Sequence, residues 1–283
     1  MNLRFTKMHG LGNDFIVIDA INQSVNLLPH EIAMLAQRNT GIGFDQCLMV
    51  ESSNDPAVDF FYRIFNANGQ EVGQCGNGAR CLARFIQHQQ LTDKDSITVA
   101  TRTTVMKLTI NGDDSVTVSF GLPKFHPVDI PMLAFQQAAS YQLSLQDGTL
   151  HSIHAVNVGN PHAVSVVHDV AEAPVAALGQ EISEHCNFPE QTNAGFMQII
   201  DQNHIALRVY ERGCGETQAC GSGAVAAAIV GKLHYQLDSR IHVMLPGGEL
   251  IIEWPDESSP VLLTGPASFV YDGVLYSGML SCE

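Results

Sequence analysis

Two cysteines stand in matched settings. Asn66 to Arg80 reads NANGQEVGQCGNGAR and Glu211 to Val225 reads ERGCGETQACGSGAV, so Cys75 and Cys220 each precede a Gly-polar-Gly string. Each string opens onto a run of small and apolar residues, ARCLARFIQHQQ (79–90) and AVAAAIVGKLHYQ (224–236), that reads as a helix. A helix start carries unpaired N–H groups and the positive end of the macrodipole. A thiol placed there is expected to ionise more readily, and glycine lets a carboxylate come close to the backbone N–H groups. Each half thus supplies a proton-transfer group beside an anion hole. Two such halves facing one cleft would put a sulfur on either side of a bound carbon. A thiolate could remove an α-proton while a thiol returned one to the opposite face, the developing charge passing into a carboxylate held at the helix starts. That chemistry inverts an α-amino acid centre and needs no pyridoxal cofactor. Either cysteine alone reads more simply as a buried residue at a helix cap; the matched pair favours chemistry.

The elements that must position them are duplicated too. At the offset of 145 that sets Cys75 over Cys220, YRIF (62–65) falls on LRVY (207–210). GNDFIVID (12–19) falls on GNPHAVSV (159–166) at an offset of 147, which also sets Gln46 opposite Asn193. Three blocks in one order point to a tandem copy of a unit of about 140 residues. FFYRIF and ALRVY read as strands, as do ITVATRTTVMKLTIN, DSVTVSFG, GELIIEW and PVLLTGPASFVYDG. The second helix is apolar on nearly every face, which predicts burial all round. The expected fold is α/β (α+β): two pseudo-symmetric domains, each an antiparallel-rich sheet wrapped around a central helix. The prolines of GLPKFHPVDIP (121–131) suggest the boundary. The expected domains are an N-terminal repeat over 1–122 and a C-terminal repeat over 123–270, with a last strand, 271–283, returning to the first.

Composition narrows the partners. With 14 basic and 29 acidic residues the chain carries a formal charge of −15, so nucleic acid is an improbable partner. No apolar run approaches a membrane span, and Asp14 and Asp19 interrupt any signal-peptide core near the N-terminus. A cytoplasmic location is expected, with the seven cysteines as free thiols. No zinc spacing and no nucleotide loop is present, so no metal is expected.

Asn66 to Arg80 and Glu211 to Gly223 together resemble the two signatures of the diaminopimelate epimerase family, C-G-N-G-x-R and E-R-G-x-G-E-T-x-A-C-G-S-G. HGLGNDF (9–15), GNPH (159–162) and Asn193 fit as well; Asn68 and Gln70 stand where the family has Asp and Ser. The resemblance implies a cofactor-independent epimerase that converts LL-2,6-diaminopimelate to the meso isomer, in lysine and cell-wall synthesis, and a homodimer. It makes Cys75 and Cys220 the acid/base pair. Gly76, Asn77, Gly221 and Ser222 would hold the reacting carboxylate. Asn13, Asn66, Asn160, Asn193 and Arg212 would hold the rest of the substrate, Arg212 gripping the distal carboxylate, and Glu211 would pair with an ammonium group; Gln46, opposite Asn193 in the repeat, is a candidate for substrate binding from its position. His162 is a further candidate. The rival readings are a two-base isomerase of the proline racemase kind and a non-catalytic module that binds acidic metabolites.

Overall fold

A computed structural model describes residues 2–73 and 76–276. The described chain divides into two compact units, residues 2–118 with 265–276 and residues 119–264. The first unit runs β1 (Leu3–Gly10), β2 (Asn13–Asp19), α1 (Pro29–Ala36), β3 (Gln46–Ser52), β4 (Phe60–Asn66), β5 (Glu71–Val72), α2 (Gly76–His88), β6 (Ser96–Ala100), β7 (Val105–Ile110) and β8 (Val116–Ser119). The second runs β9 (Tyr141–Ser144), β10 (Leu150–Asn157), β11 (Pro161–Val166), α3 (Val175–Ser183), β12 (Asn193–Ile199), β13 (His204–Glu211), β14 (Gly215–Thr217), α4 (Gly221–Tyr235), β15 (Arg240–Leu245), β16 (Gly248–Glu253) and β17 (Leu262–Gly265). A last strand, β18 (Ser268–Leu275), pairs antiparallel with β1.

The two units share one strand order. In the first it is β18-β1-β2-β3-β4-β6-β7-β8, with β5 as a hairpin on β4. In the second it is β9-β10-β11-β12-β13-β15-β16-β17, with β14 on β13. Register repeats as well: Ile64 faces Val72 where, 145 positions on, Val209 faces Thr217. These are two pseudo-symmetric α+β domains whose sheets wrap a central helix.

Most pairs are antiparallel, but β2 with β3 and β4 with β6 are parallel, as are their counterparts β11 with β12 and β13 with β15. A parallel pair cannot be closed by a hairpin and needs a crossover. α2 and α4 are the crossovers that the sequence predicts. α1 and α3 are two more, short helices that a reading with one helix per unit lacks. α1 packs Ile32 and Leu35 on Ile16, Ile18, Cys47 and Met49; each of the two helix side chains is essentially fully buried and contributes about 2 kcal/mol. α2 lies against β1, β2, β3 and β7. With α1 and α2 both packed on it, β2 is buried continuously from Phe15 to Asp19 rather than alternately. In α4 every residue from Gly223 to Val230 is buried, which is why that helix is apolar all round. No helix among the described residues is long and apolar enough to cross a membrane.

The unit boundaries fall at 118/119 and 264/265, not at 122/123 and 270/271. Phe120 N–H donates to the Val261 carbonyl and Val261 N–H to the Gly121 carbonyl, tying 120–121 to the second unit. β18 starts at Ser268, so a cut at 270 would divide a strand paired with β1. Residues 277–283 of the expected returning segment lie outside the described residues.

Candidate active site

In each unit the candidate residues collect where strand ends meet the start of the central helix. In the first, Asn13 opens β2, Gln46 opens β3, Asn66 closes β4, and Gly76 and Asn77 open α2. Gln46 and Asn66 are register partners, and Gln46 Nε2 donates to Asn66 Oδ1 at 2.9 Å. Asn77 Nδ2 donates to Asn13 Oδ1 at 3.3 Å, and Asn13 Nδ2 donates to Asp45 Oδ2 at 2.8 Å. Cys75 lies outside the described residues. The departures from the family signature keep the preceding turn: Asn68 Oδ1 accepts from Gln70 N–H at 2.9 Å, as an aspartate oxygen would. Gly69 sits at φ +81 with its Cα against Pro29, where an added Cβ would come 2.0 Å from the Pro29 carbonyl oxygen.

In the second unit, Asn160 precedes β11, His162 lies on it, Asn193 opens β12, Glu211 closes β13 and Arg212 follows. Cys220 is the N-cap of α4, in extended backbone conformation, with Gly221 and Ser222 as the first helical residues. Asn160 Nδ2 donates to Ser222 Oγ at 3.3 Å, and Cys220 Sγ lies 3.6 Å from the same hydroxyl. An added Cβ at Gly223 would lie 3.3 Å from the Cys220 sulfur and 2.9 Å from a Val209 methyl, so the second glycine of the string gives the thiol its room. His162 and Asn193 are register partners; the ring Nε2 lies 3.2 Å from Asn160 Oδ1 and 3.4 Å from Asn193 Nδ2. Arg212 N–H donates to Asn193 Oδ1 at 2.9 Å, and Arg212 Nη1 donates to the Glu190 carbonyl at 2.7 Å. Thr217, absent from the sequence-based candidates, donates its hydroxyl to Glu211 Oε1 at 2.6 Å. The strand pairing that puts Thr217 opposite Val209 brings it there.

Electrostatics corrects one expectation. A helix start alone predicts a thiol that ionises easily. Instead, burial pushes the Cys220 thiol well above its ordinary range, and the neighbouring Glu211 carboxylate, to which the thiol donates, pushes it the same way; the Ser222 hydroxyl and the Gly223 N–H pull down too weakly to compensate. Glu211 is itself raised by burial, partly offset by hydrogen bonds from Thr217 and Cys220. In this state Cys220 is therefore held as the neutral thiol. Burial, with the Arg212 charge adding to it, lowers His162 to about 3, so its ring is neutral. Cys47, Cys186 and Cys220 are free thiols.

The duplicated α+β fold thus carries, in its second unit, a buried cysteine followed by glycine at the head of a buried helix. Residues 5–126 and 154–270 match the family model of diaminopimelate epimerase. A diaminopimelate epimerase from Legionella pneumophila (strain Philadelphia 1) is 59% identical over 277 residues, covering 98% of this chain and 100% of that protein. One from Pseudomonas entomophila is 52% identical over 273 residues, covering 96% and 99%. The chain belongs to the diaminopimelate epimerase family. Among solved structures, a hydroxyproline epimerase from Agrobacterium vitis aligns with a TM-score of 0.71 over 97% of this chain and 92% of its own, at 12% identity. A phenazine biosynthesis protein of the PhzF family from Bacillus anthracis aligns with a TM-score of 0.68 over 98% and 99%, at 15% identity. These two likenesses are of fold alone.

Proposed function

We propose that this chain interconverts LL- and meso-2,6-diaminopimelate by proton transfer between Cys75 and Cys220, without a cofactor, in the synthesis of lysine and peptidoglycan precursors. One sulfur, as thiolate, takes the α-proton; an S–H bond forms as the C–H bond breaks. The electron pair moves into the adjacent carboxylate, held by the backbone N–H groups of Gly76, Asn77, Gly221 and Ser222. The other sulfur, as thiol, delivers its proton to the opposite face, so each turnover exchanges thiol and thiolate. Arg212 holds the distal carboxylate, and Asn13, Gln46, Asn66, Asn160 and Asn193 fix the remaining polar groups, with His162 as a neutral support for the last two.

The observation that carries this reading is the Cys220 thiol at the N-cap of α4, hydrogen-bonded into Ser222 and Glu211. A substrate ammonium beside Glu211 would cancel the charge that holds the thiol protonated. The same residue would thereby become competent as acid or as base. The enzyme acts in the cytoplasm as a homodimer. In support of a dimer, β18 exposes Val270, Tyr271 and Val274 on one strand.

The test is turnover of LL- and meso-diaminopimelate, with L-proline as the competing substrate. Both diaminopimelate isomers are expected to interconvert and proline to be inert, with Cys75→Ala and Cys220→Ala each losing inversion while keeping the wild-type melting temperature. Racemisation of proline, or near-normal turnover by either variant, would overturn the reading.

A further inference from the structure

Arg80 is fully buried in the first turns of α2, where a guanidinium is rare without a purpose for its donors. Its Nη2 donates to Asn77 Oδ1 at 3.1 Å and its Nε to the Pro266 carbonyl at 3.1 Å. An added Cβ at Gly10 would lie 3.1 Å from Nη2, so glycine leaves the guanidinium its place. Chemistry forces the polarity of the hydrogen bonds that run on from Asn77. A guanidinium has donors only, so the Asn77 atom facing it is the carbonyl oxygen. The Asp45 carboxylate only accepts, so the Asn13 atom 2.8 Å from it is Nδ2. The 3.3 Å link between the two amides then runs from Asn77 Nδ2 to Asn13 Oδ1. Arg38 Nη2 closes the far end on Asp45 Oδ1 at 2.7 Å. A cation donates at one end, a carboxylate accepts at the other, and both amides between them are held in a single flip.

The second unit does without this relay. At the same offset Ser222 stands for Asn77 and Val225 for Arg80. Asn160 donates to the Ser222 hydroxyl at 3.3 Å. A hydroxyl turns to suit its neighbour and needs no orienting cation; an amide facing the wrong way would turn its NH2 toward Arg80 and lose the links on both sides.

We propose that Arg80 is a positioning residue: it orients the Asn77 amide, which together with Asp45 holds Asn13, and so sets which atoms the first half-site presents to the substrate. The proposal rests on the reading of Asn13 and Asn77 as substrate-binding residues.

The experiment is a double-mutant cycle of Arg80→Met and Asn77→Ser, with Arg80→Lys alongside, reading kcat, KM and melting temperature on LL-diaminopimelate. Each single variant is expected to lower kcat/KM by about 30-fold, mostly through KM. The double variant is expected to stay within a few-fold of Arg80→Met, because a hydroxyl leaves nothing to orient. Arg80→Lys, which keeps a donor, is expected to remain within about fivefold of wild type. Losses that multiply in the double variant, or an Arg80→Met enzyme with a lower melting temperature and unchanged kcat/KM, would overturn the proposal. Should Arg80→Met not fold, a folded Arg80→Lys with a loss of more than about 30-fold would overturn it as well. A wild-type chain inert toward diaminopimelate would instead strike the functional reading on which it rests.

Discussion

Cys220 illustrates how a local rule is overruled by its surroundings. A helix N-terminus favours a thiolate by a modest amount, whereas full burial and a carboxylate partner act together in the other direction. Removing the carboxylate's charge should therefore lower the thiol's pKa. In Glu211→Gln, the ultraviolet thiolate absorbance lost on mutating Cys220 is expected to rise at a lower pH than in the wild-type background. An unshifted titration would mean that burial alone sets the protonation state. Cys75 with Cys220, Gly76 with Gly221 and Asn13 with Asn160 stand out in the sequence as candidates because each recurs in the two copies. Thr217 was not, since its bond to Glu211 follows from a hairpin register that no string of residue types displays. Nor was the role of Arg80, whose partners Asn77 and Pro266 are brought together only by the fold.

The elements carry the support of the site. Lys7 on β1 and Arg38 after α1 both donate to Asp14 on β2, and Lys7 Nζ also reaches the Gly43 carbonyl. This clamps the loop that delivers Asp45 to Asn13. Burial acts to raise Asp14, but the hydrogen bonds and charges of Arg38 and Lys7 outweigh it and lower the carboxyl from 3.8 to about 2. A depressed carboxylate stabilises the fold above its unfolded pKa and loses that contribution as pH falls through the folded value. Asp14→Asn should thus cost about 1–2 kcal/mol at neutral pH, after allowance for solvent screening, and progressively less between pH about 4 and 2. Denaturant unfolding at neutral and acid pH measures it; a difference that does not shrink in acid would rule out the ion pairs as its source. Strand and central-helix positions followed from hydrophobic pattern. α1 and α3 did not, because eight or nine residues such as PHEIAMLA carry too little periodicity, and only the parallel pairing of the strands they connect requires them.

At the scale of the molecule, duplication is the organising fact: one strand order and one register, used twice, with Asn77 and Arg80 in one copy where Ser222 and Val225 stand in the other. The proposed dimer belongs to this scale as well. Val270 is the extra residue of a β-bulge on β18 and is exposed, so Val270→Glu leaves the pairing with β1 intact. Sedimentation is expected to show a dimer for the wild type and a monomer for the variant; an unchanged dimer would place the interface elsewhere. The proposed inversion stands or falls on two proton-transfer groups acting on opposite faces of one carbon. Turnover of LL-diaminopimelate in heavy water, stopped early, tests this most directly. Two bases predict solvent deuterium at the inverted carbon of the meso product and none in the recovered LL substrate. Deuterium appearing equally in both, or a product that keeps its original hydrogen, would contradict it.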